Sequence, residues 1–126
     1  MPARKPEEVH RLFAEAFNAG DLNAIVSLYE PDAILVPQPG QMVRGHAAIR
    51  QALTGFLAMK PRFAFQSGKT LESNDIALLF SKWTLTGTSP DGSAVTLAGQ
   101  TTDVVRHQKD GTWLFRNFWA FQLYYR

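Results

Sequence analysis

Two alternating runs, residues 94–107 and 112–124, are separated by Lys109-Asp110-Gly111, and this pair constrains the chain more than any other stretch. Asp-Gly between runs of alternating apolar and polar residues is the strongest short hairpin signal. The first run contains a carboxylate, Asp103, followed by Val104 and Val105. A carboxylate inside a strand points either to water or into a place that tolerates it, and that choice governs the functional reading. A further strand over 76–87 leads into the pair through Ser89-Pro90-Asp91-Gly92. Before it, Phe63 and Phe65 alternate in a strand over 62–71, closed by the turn Glu72-Ser73-Asn74-Asp75.

Upstream of Lys60 the period is helical. Val9, Leu12, Phe13, Ala16 and Phe17 mark one apolar helix face, with the i, i+3, i+4 spacing that a buried stripe requires. Pro6 suits a first turn, Glu7 and Glu8 sit at its positive end, and Asn18-Ala19-Gly20 stops it. Asp21 is an N-cap for a short second helix whose stripe runs Leu22, Ile25, Val26, Tyr29 and which Pro31 ends. Ala33-Ile34-Leu35-Val36 form a short strand closed by Pro37-Gln38-Pro39-Gly40. After a loop to Gly45, a third helix over 46–57 buries Ile49, Leu53, Phe56 and Leu57. Helices first and a strand meander afterwards predict one α+β domain over residues 1–126, with no linker.

Several function classes drop out on composition. Without cysteine there is no disulfide, thiolate nucleophile or Cys-ligated metal. The basic residues are scattered, and a net charge of +2 with no basic stripe argues against nucleic acid. No apolar run is long enough to span a membrane, and the N-terminus lacks the apolar segment of a secretory signal, so the expectation is a cytoplasmic protein. His10, His46 and His107 lie on three elements without ligand spacing, so no metal is expected. No phosphate loop or nucleophile elbow is present, so no cofactor and no Ser-His-Asp triad are expected.

If both Asp-Gly sites are two-residue turns, Asp103 lies opposite Phe118 on one side and Phe80 on the other. Arg116 and Lys82 then share its face. Trp83, Trp113, Phe115 and Trp119 fall on the opposite face, with Phe121, and an aromatic face of that kind predicts a homodimer interface. A one-residue change in loop length reverses these assignments.

Residues 17–29, Phe-Asn-Ala-Gly-Asp-Leu-Asn-Ala-Ile-Val-Ser-Leu-Tyr, followed by Asp32-Ala33, resemble the opening of ketosteroid-isomerase-like proteins. Gly45-His46-Ala47-Ala48-Ile49-Arg50 and the Asp-Gly-x-Trp hairpin are similar to that family too. It belongs to the nuclear-transport-factor-two-like superfamily, with the SnoaL-like polyketide cyclases. The resemblance covers nearly the whole chain. It implies a cystatin-like, conical, curved antiparallel sheet of four to five main strands around three N-terminal helices, with a pocket at the open end and a homodimer.

Ketosteroid isomerase works with an aspartate base, a tyrosine and a protonated aspartic acid. The resemblance places Pro37 at the base and Phe13 at the tyrosine, so only Asp103 is retained and steroid isomerisation is disfavoured. Asp103 is therefore the candidate pocket acid and Arg116 a candidate for orienting a substrate carbonyl or anion. Phe13, Phe17, Tyr29, Gln38, Phe56, Phe80, Lys82 and Phe118 are candidate ligand contacts. Two readings stay open. One is cofactor-independent acid–base chemistry of the isomerase, hydrolase or lyase type on a small apolar molecule. The other is a non-catalytic ligand-binding or dimerisation module. A cavity of roughly 300 Å³ or more above Asp103 favours a ligand; a cone plugged by Phe13, Phe17, Phe56 and Phe63 argues against one.

Overall fold

The computed structural model describes residues 2–38 and 40–119, apart from the side chains of Gln38, Ser67 and Trp119. Three helices, α1 (Glu8–Asn18), α2 (Leu22–Val26) and α3 (His46–Leu57), accompany six strands. These are β1 (Tyr29–Gln38), β2 (Gln41–Arg44), β3 (Arg62–Ser73), β4 (Ile76–Thr88), β5 (Ala94–His107) and β6 (Trp113–Trp119). They form one curved, unclosed sheet in the order β2-β1-β6-β5-β4-β3. β1 runs parallel to β6, and every other pairing is antiparallel. The expected α+β architecture is present.

Local chemistry explains the element ends. Asp21 accepts the Ala24 backbone N–H at 3.1 Å and starts α2. Gly45, at φ +87°, turns the chain from β2 into α3 in a region that L side chains avoid. Asn18, the last residue of α1, pairs its amide with both backbone groups of Phe63, at 2.6 and 2.9 Å. That amide satisfies a stretch of β3, the edge strand, where no neighbouring strand is available among the described residues.

Three sequence expectations need correction. Residues 41–44, expected as loop, are strand β2. α2 ends at Val26 and Pro31 lies within β1, where the pairing with β6 is irregular between Tyr29 and Ile34, so the missing N–H breaks no regular ladder. The third correction concerns the sheet faces.

β4 and β5 are joined by residues 89–93, five residues rather than two, with Thr88 opposite Ala94. The Asp91 carboxylate holds this turn, accepting the Ser89 hydroxyl and, at 2.9 Å, the Ser93 N–H. The odd length shifts the register by one, so Asp103 faces Leu79 and not Phe80. The β5–β6 turn is also longer than two residues, with His107 opposite Trp113. A bulge then adds Arg116 between the pairs Val105↔Phe115 and Val104↔Asn117, which restores Asp103 opposite Phe118, as expected.

The inner face therefore carries Leu79, Trp83, Val105, Trp113, Phe115 and Phe118, all buried under the helices. Trp83, Trp113 and Phe115 are core residues, so the aromatic partner face expected from them is not an outer surface; the Trp119 side chain, Ala120 and Phe121 lie outside the described residues. Gly99 is what lets Trp83 fold inward. A Cβ there would come within 2.9 Å of the indole.

Candidate functional site

The centre of the inner face is polar. α1 buries Val9, His10, Phe13 and Phe17, and His10 meets Asp103 across the core, its Nε2 on Asp103 Oδ2. Thr101, two residues from Asp103 and so on the same face of β5, donates its hydroxyl to Oδ1. Asp103 is fully buried and His10 is 8% exposed. With the hydroxyl donating to one oxygen, Nε2–H is the donor to the other, and Nδ1 is the imidazole nitrogen outside this pair. A carboxylate taken wholly from water requires such donors, because burying it unpaired costs several kcal/mol.

Aromatic rings hold the imidazole in place. His10 stacks on Phe65 at 4.2 Å and 9° between planes, and packs at a tilt on Phe115 and Phe118. Tyr29 lies beside the same phenylalanines. Its hydroxyl is buried without a hydrogen-bond partner among the described residues. Burial, and secondarily the charge of Asp103, push its ionisation well above the usual range, so it stays neutral.

Arg116 does not share this centre. As the bulged residue it turns to the other face, where it donates to Asp32 at 2.5 Å and to Glu30 at 3.2 Å. Arg106 grips Glu30 with two bonds, at 2.6 and 2.7 Å, and Gln108 adds a third donor at 2.8 Å. These donors, Arg106 foremost, hold the Glu30 carboxyl down to about 2. Every charge in this cluster has a protein partner, and its role is to tie β1 to β5 and β6.

The remaining candidates separate into three places. Phe13, Phe17, Phe56 and Phe118 line the interior of the curved sheet with Phe63, Leu35, Pro37 and Trp83, around a space of only about 40 Å³. The cone is plugged. Phe80 and Lys82 face away from Asp103, Phe80 half-buried and Lys82 exposed. Tyr29 lies in the core, and the Gln38 side chain is outside the described residues.

A larger cleft, about 460 Å³, lies on the flank between α1 and β3. His10 lines it, with Phe65, Phe80 and Ser81 on the sheet side and Arg11 and Glu15 on the helix side. It opens at a bulge in β3, where the pairing with β4 slips between Ser67 and Thr70. Only glycine fits at position 68, since a Cβ would sit 2.0 Å from the Phe80 carbonyl oxygen. A still larger groove of about 590 Å³ runs between α1, α2 and the β5–β6 turn. His10 and Asp103 do not line it; of its three carboxylates, Asp21 and Asp110 are engaged in capping backbone N–H groups and Glu15 is paired with Arg11. The flank cleft is the one of these two that His10 lines.

His10 is the residue that sequence reasoning passed over. The apolar template used for α1 counts Phe13 and Phe17 and skips a histidine, although positions 10, 13 and 17 share one helix face. Among the described residues, no group of three or more His, Asp or Glu side chains is placed to hold a metal ion.

A family model described as a SnoaL-like domain matches residues 9–115. The chain belongs to that family. Among solved structures, this SnoaL-like chain resembles a ketosteroid isomerase-like protein from Erwinia carotovora atroseptica, with 21% identity and a TM-score of 0.79 over 90% of this chain and 89% of that one. It also resembles an NTF2-like protein with a cystatin-like fold from Novosphingobium aromaticivorans, with 16% identity and a TM-score of 0.75 over 90% and 78%. A conserved protein from Planctomyces limnophilus matches with 17% identity and a TM-score of 0.81 over 90% and 89%. No curated protein matches the chain. These likenesses show the fold, and the SnoaL-like chain carries its own polar centre within it. Among the described residues, no helix is long and apolar enough to cross a membrane.

Proposed function

We propose that this SnoaL-like protein binds a small molecule and moves a proton on it with the His10–Asp103 pair, without a cofactor. The observation that carries this reading is the buried pair itself. The carboxylate is held by Thr101 and orients the imidazole, whose ring also lines the 460 Å³ cleft. A carboxylate-oriented histidine is the usual form of a general base or acid. The reaction class that fits a lone acid–base pair is proton abstraction next to a carbonyl, in the isomerase or lyase manner. Asp103 is then the positioning group, and Arg116 has no part in the chemistry.

A second reading, a non-catalytic module, draws on the plugged cone, whose residual 40 Å³ is far below the few hundred Å³ of ordinary ligand pockets.

Deuterium uptake from heavy water into a panel of small cyclic ketones, followed by mass spectrometry, tests the first reading against the second. The expected result is uptake catalysed by the wild type and lost in His10→Gln, with the circular dichroism spectrum retained. Equal uptake by both proteins contradicts the assignment of His10. No uptake by the wild type with any panel member favours the second reading.

A further inference from the structure

Thr101 enters the centre of the inner face through its hydroxyl and is itself 1% exposed. It stands two residues from Asp103 on β5, so both side chains leave the same face of the strand. Its branched Cβ is stiff, which presets the direction of the hydroxyl. We propose that Thr101 is a positioning residue that keeps His10 in its basic form, by holding Asp103 ionised while the pair carries a single proton. This rests on the reading of His10 as the acid–base group, and it assigns the residue that sets the pH range in which that group works.

Two forms of the pair compete. With one proton, on Nε2, the imidazole donates to Oδ2 and Nδ1 is a base, but the buried pair carries one net negative charge. A second proton cancels that charge and places hydrogen on Nδ1, so the base is lost. Burial against Phe65 of β3 and Phe115 and Phe118 of β6 favours the uncharged pair, because desolvation penalises net charge. A donor aimed at the carboxylate favours the ionised one. Thr101 is such a donor, with its hydroxyl on Oδ1 while Nε2 takes Oδ2. The β4 side does not compete for it. Ser81, opposite Thr101 in the ladder, gives its own hydroxyl to the Gln66 carbonyl at 2.9 Å. Leu79, opposite Asp103, has an apolar side chain. From β1, Tyr29 stays neutral. From α1, Glu7, Arg11 and Glu15 line the cleft with His10 but are exposed, where water and salt screen them.

The test follows both ring nitrogens of His10 against pH by NMR in the isotope-labelled full chain, and measures deuterium uptake against pH on the same proteins. Thr101→Val keeps the shape of the side chain and removes the donor. In it, the pH at which Nδ1 gains its proton should rise by about one pH unit or more, the size of a hydrogen bond to a charged group. The acid limb of the uptake profile should move up with it. Thr101→Ser retains the hydroxyl and should titrate as the wild type does. Thr101→Cys, a weaker donor of similar size, should fall between the two, and it carries the test if Thr101→Val does not fold. An Nδ1 titration unchanged on loss of the hydroxyl overturns the proposal. So does a Thr101→Ser titration displaced as far as that of Thr101→Val, because packing and not the hydroxyl would then set it. A displaced Nδ1 titration without uptake by any of the proteins upholds the control of the pair by Thr101 and contradicts only the catalytic reading of His10.

Discussion

The inner centre and the outer charge cluster stand back to back on β5 and β6, and both are built around a buried carboxylate. Asp103 is 0% exposed and Glu30 is 5% exposed. They differ in what surrounds them. Glu30 accepts from two guanidiniums and an amide, and Arg106 keeps 41% of its side chain in water. Asp103 is held by an imidazole and a hydroxyl inside a shell of phenylalanines. The outer cluster is closed on itself and serves the fold. The inner pair leads through His10 to a cleft, and a polar group placed so is expensive to keep without a use.

The largest difference should appear when each pair is broken. His10→Ala leaves a buried carboxylate with one donor fewer and should cost about 3–5 kcal/mol of stability in urea unfolding. His10→Phe combined with Asp103→Leu should recover most of that loss, because apolar replacement of a buried, mutually bonded polar pair is often close to neutral. If the double variant is no better than the single, the pair is not an isolated polar island in an apolar core.

Glu30→Gln should cost less, roughly 2–3 kcal/mol at neutral pH, from the depression of its carboxyl to about 2 from 4.5. A depressed carboxyl stabilises the fold above its unfolded value and loses that contribution as pH falls through the folded one. The gap between wild type and Glu30→Gln should therefore be full above about pH 5 and vanish near pH 2. A gap independent of pH in acid denaturation would show that the cluster is held by packing rather than charge.

The smallest effect probes the odd group between the two regions. Tyr29 has a buried hydroxyl without a partner among the described residues, so Tyr29→Phe should raise stability by about 1 kcal/mol. A loss of similar size in thermal unfolding would mean that the hydroxyl has a partner in solution.

The fold was legible because period and turn chemistry are local. Stripes at Val9–Phe17 and Ile49–Leu57, the Asp21 cap and the alternation of β4 to β6 all lie within short windows. The faces were less so. Their assignment depends on loop parity at 89–93 and on a bulge at Arg116, each a one-residue matter that alternation does not reveal. The two departures cancel at Asp103↔Phe118, which is why that pairing was reached from a wrong loop, while Arg116, Phe80 and Lys82 landed on the wrong side. His10 was missed for a different reason: its partner is 93 residues away in the chain, and no local pattern connects them. Position 10 on the buried stripe was the available signal.

The most direct test is the proton on His10 Nε2, observed in the ring nitrogen–proton spectrum of the wild-type protein at neutral pH. The structure predicts a downfield, slowly exchanging Nε2 proton, held by Asp103 and shielded by Phe65, that outlasts any ring proton of the exposed His107. An Nε2 without a proton, or one exchanging as fast as His107, would contradict the pair on which the functional account depends.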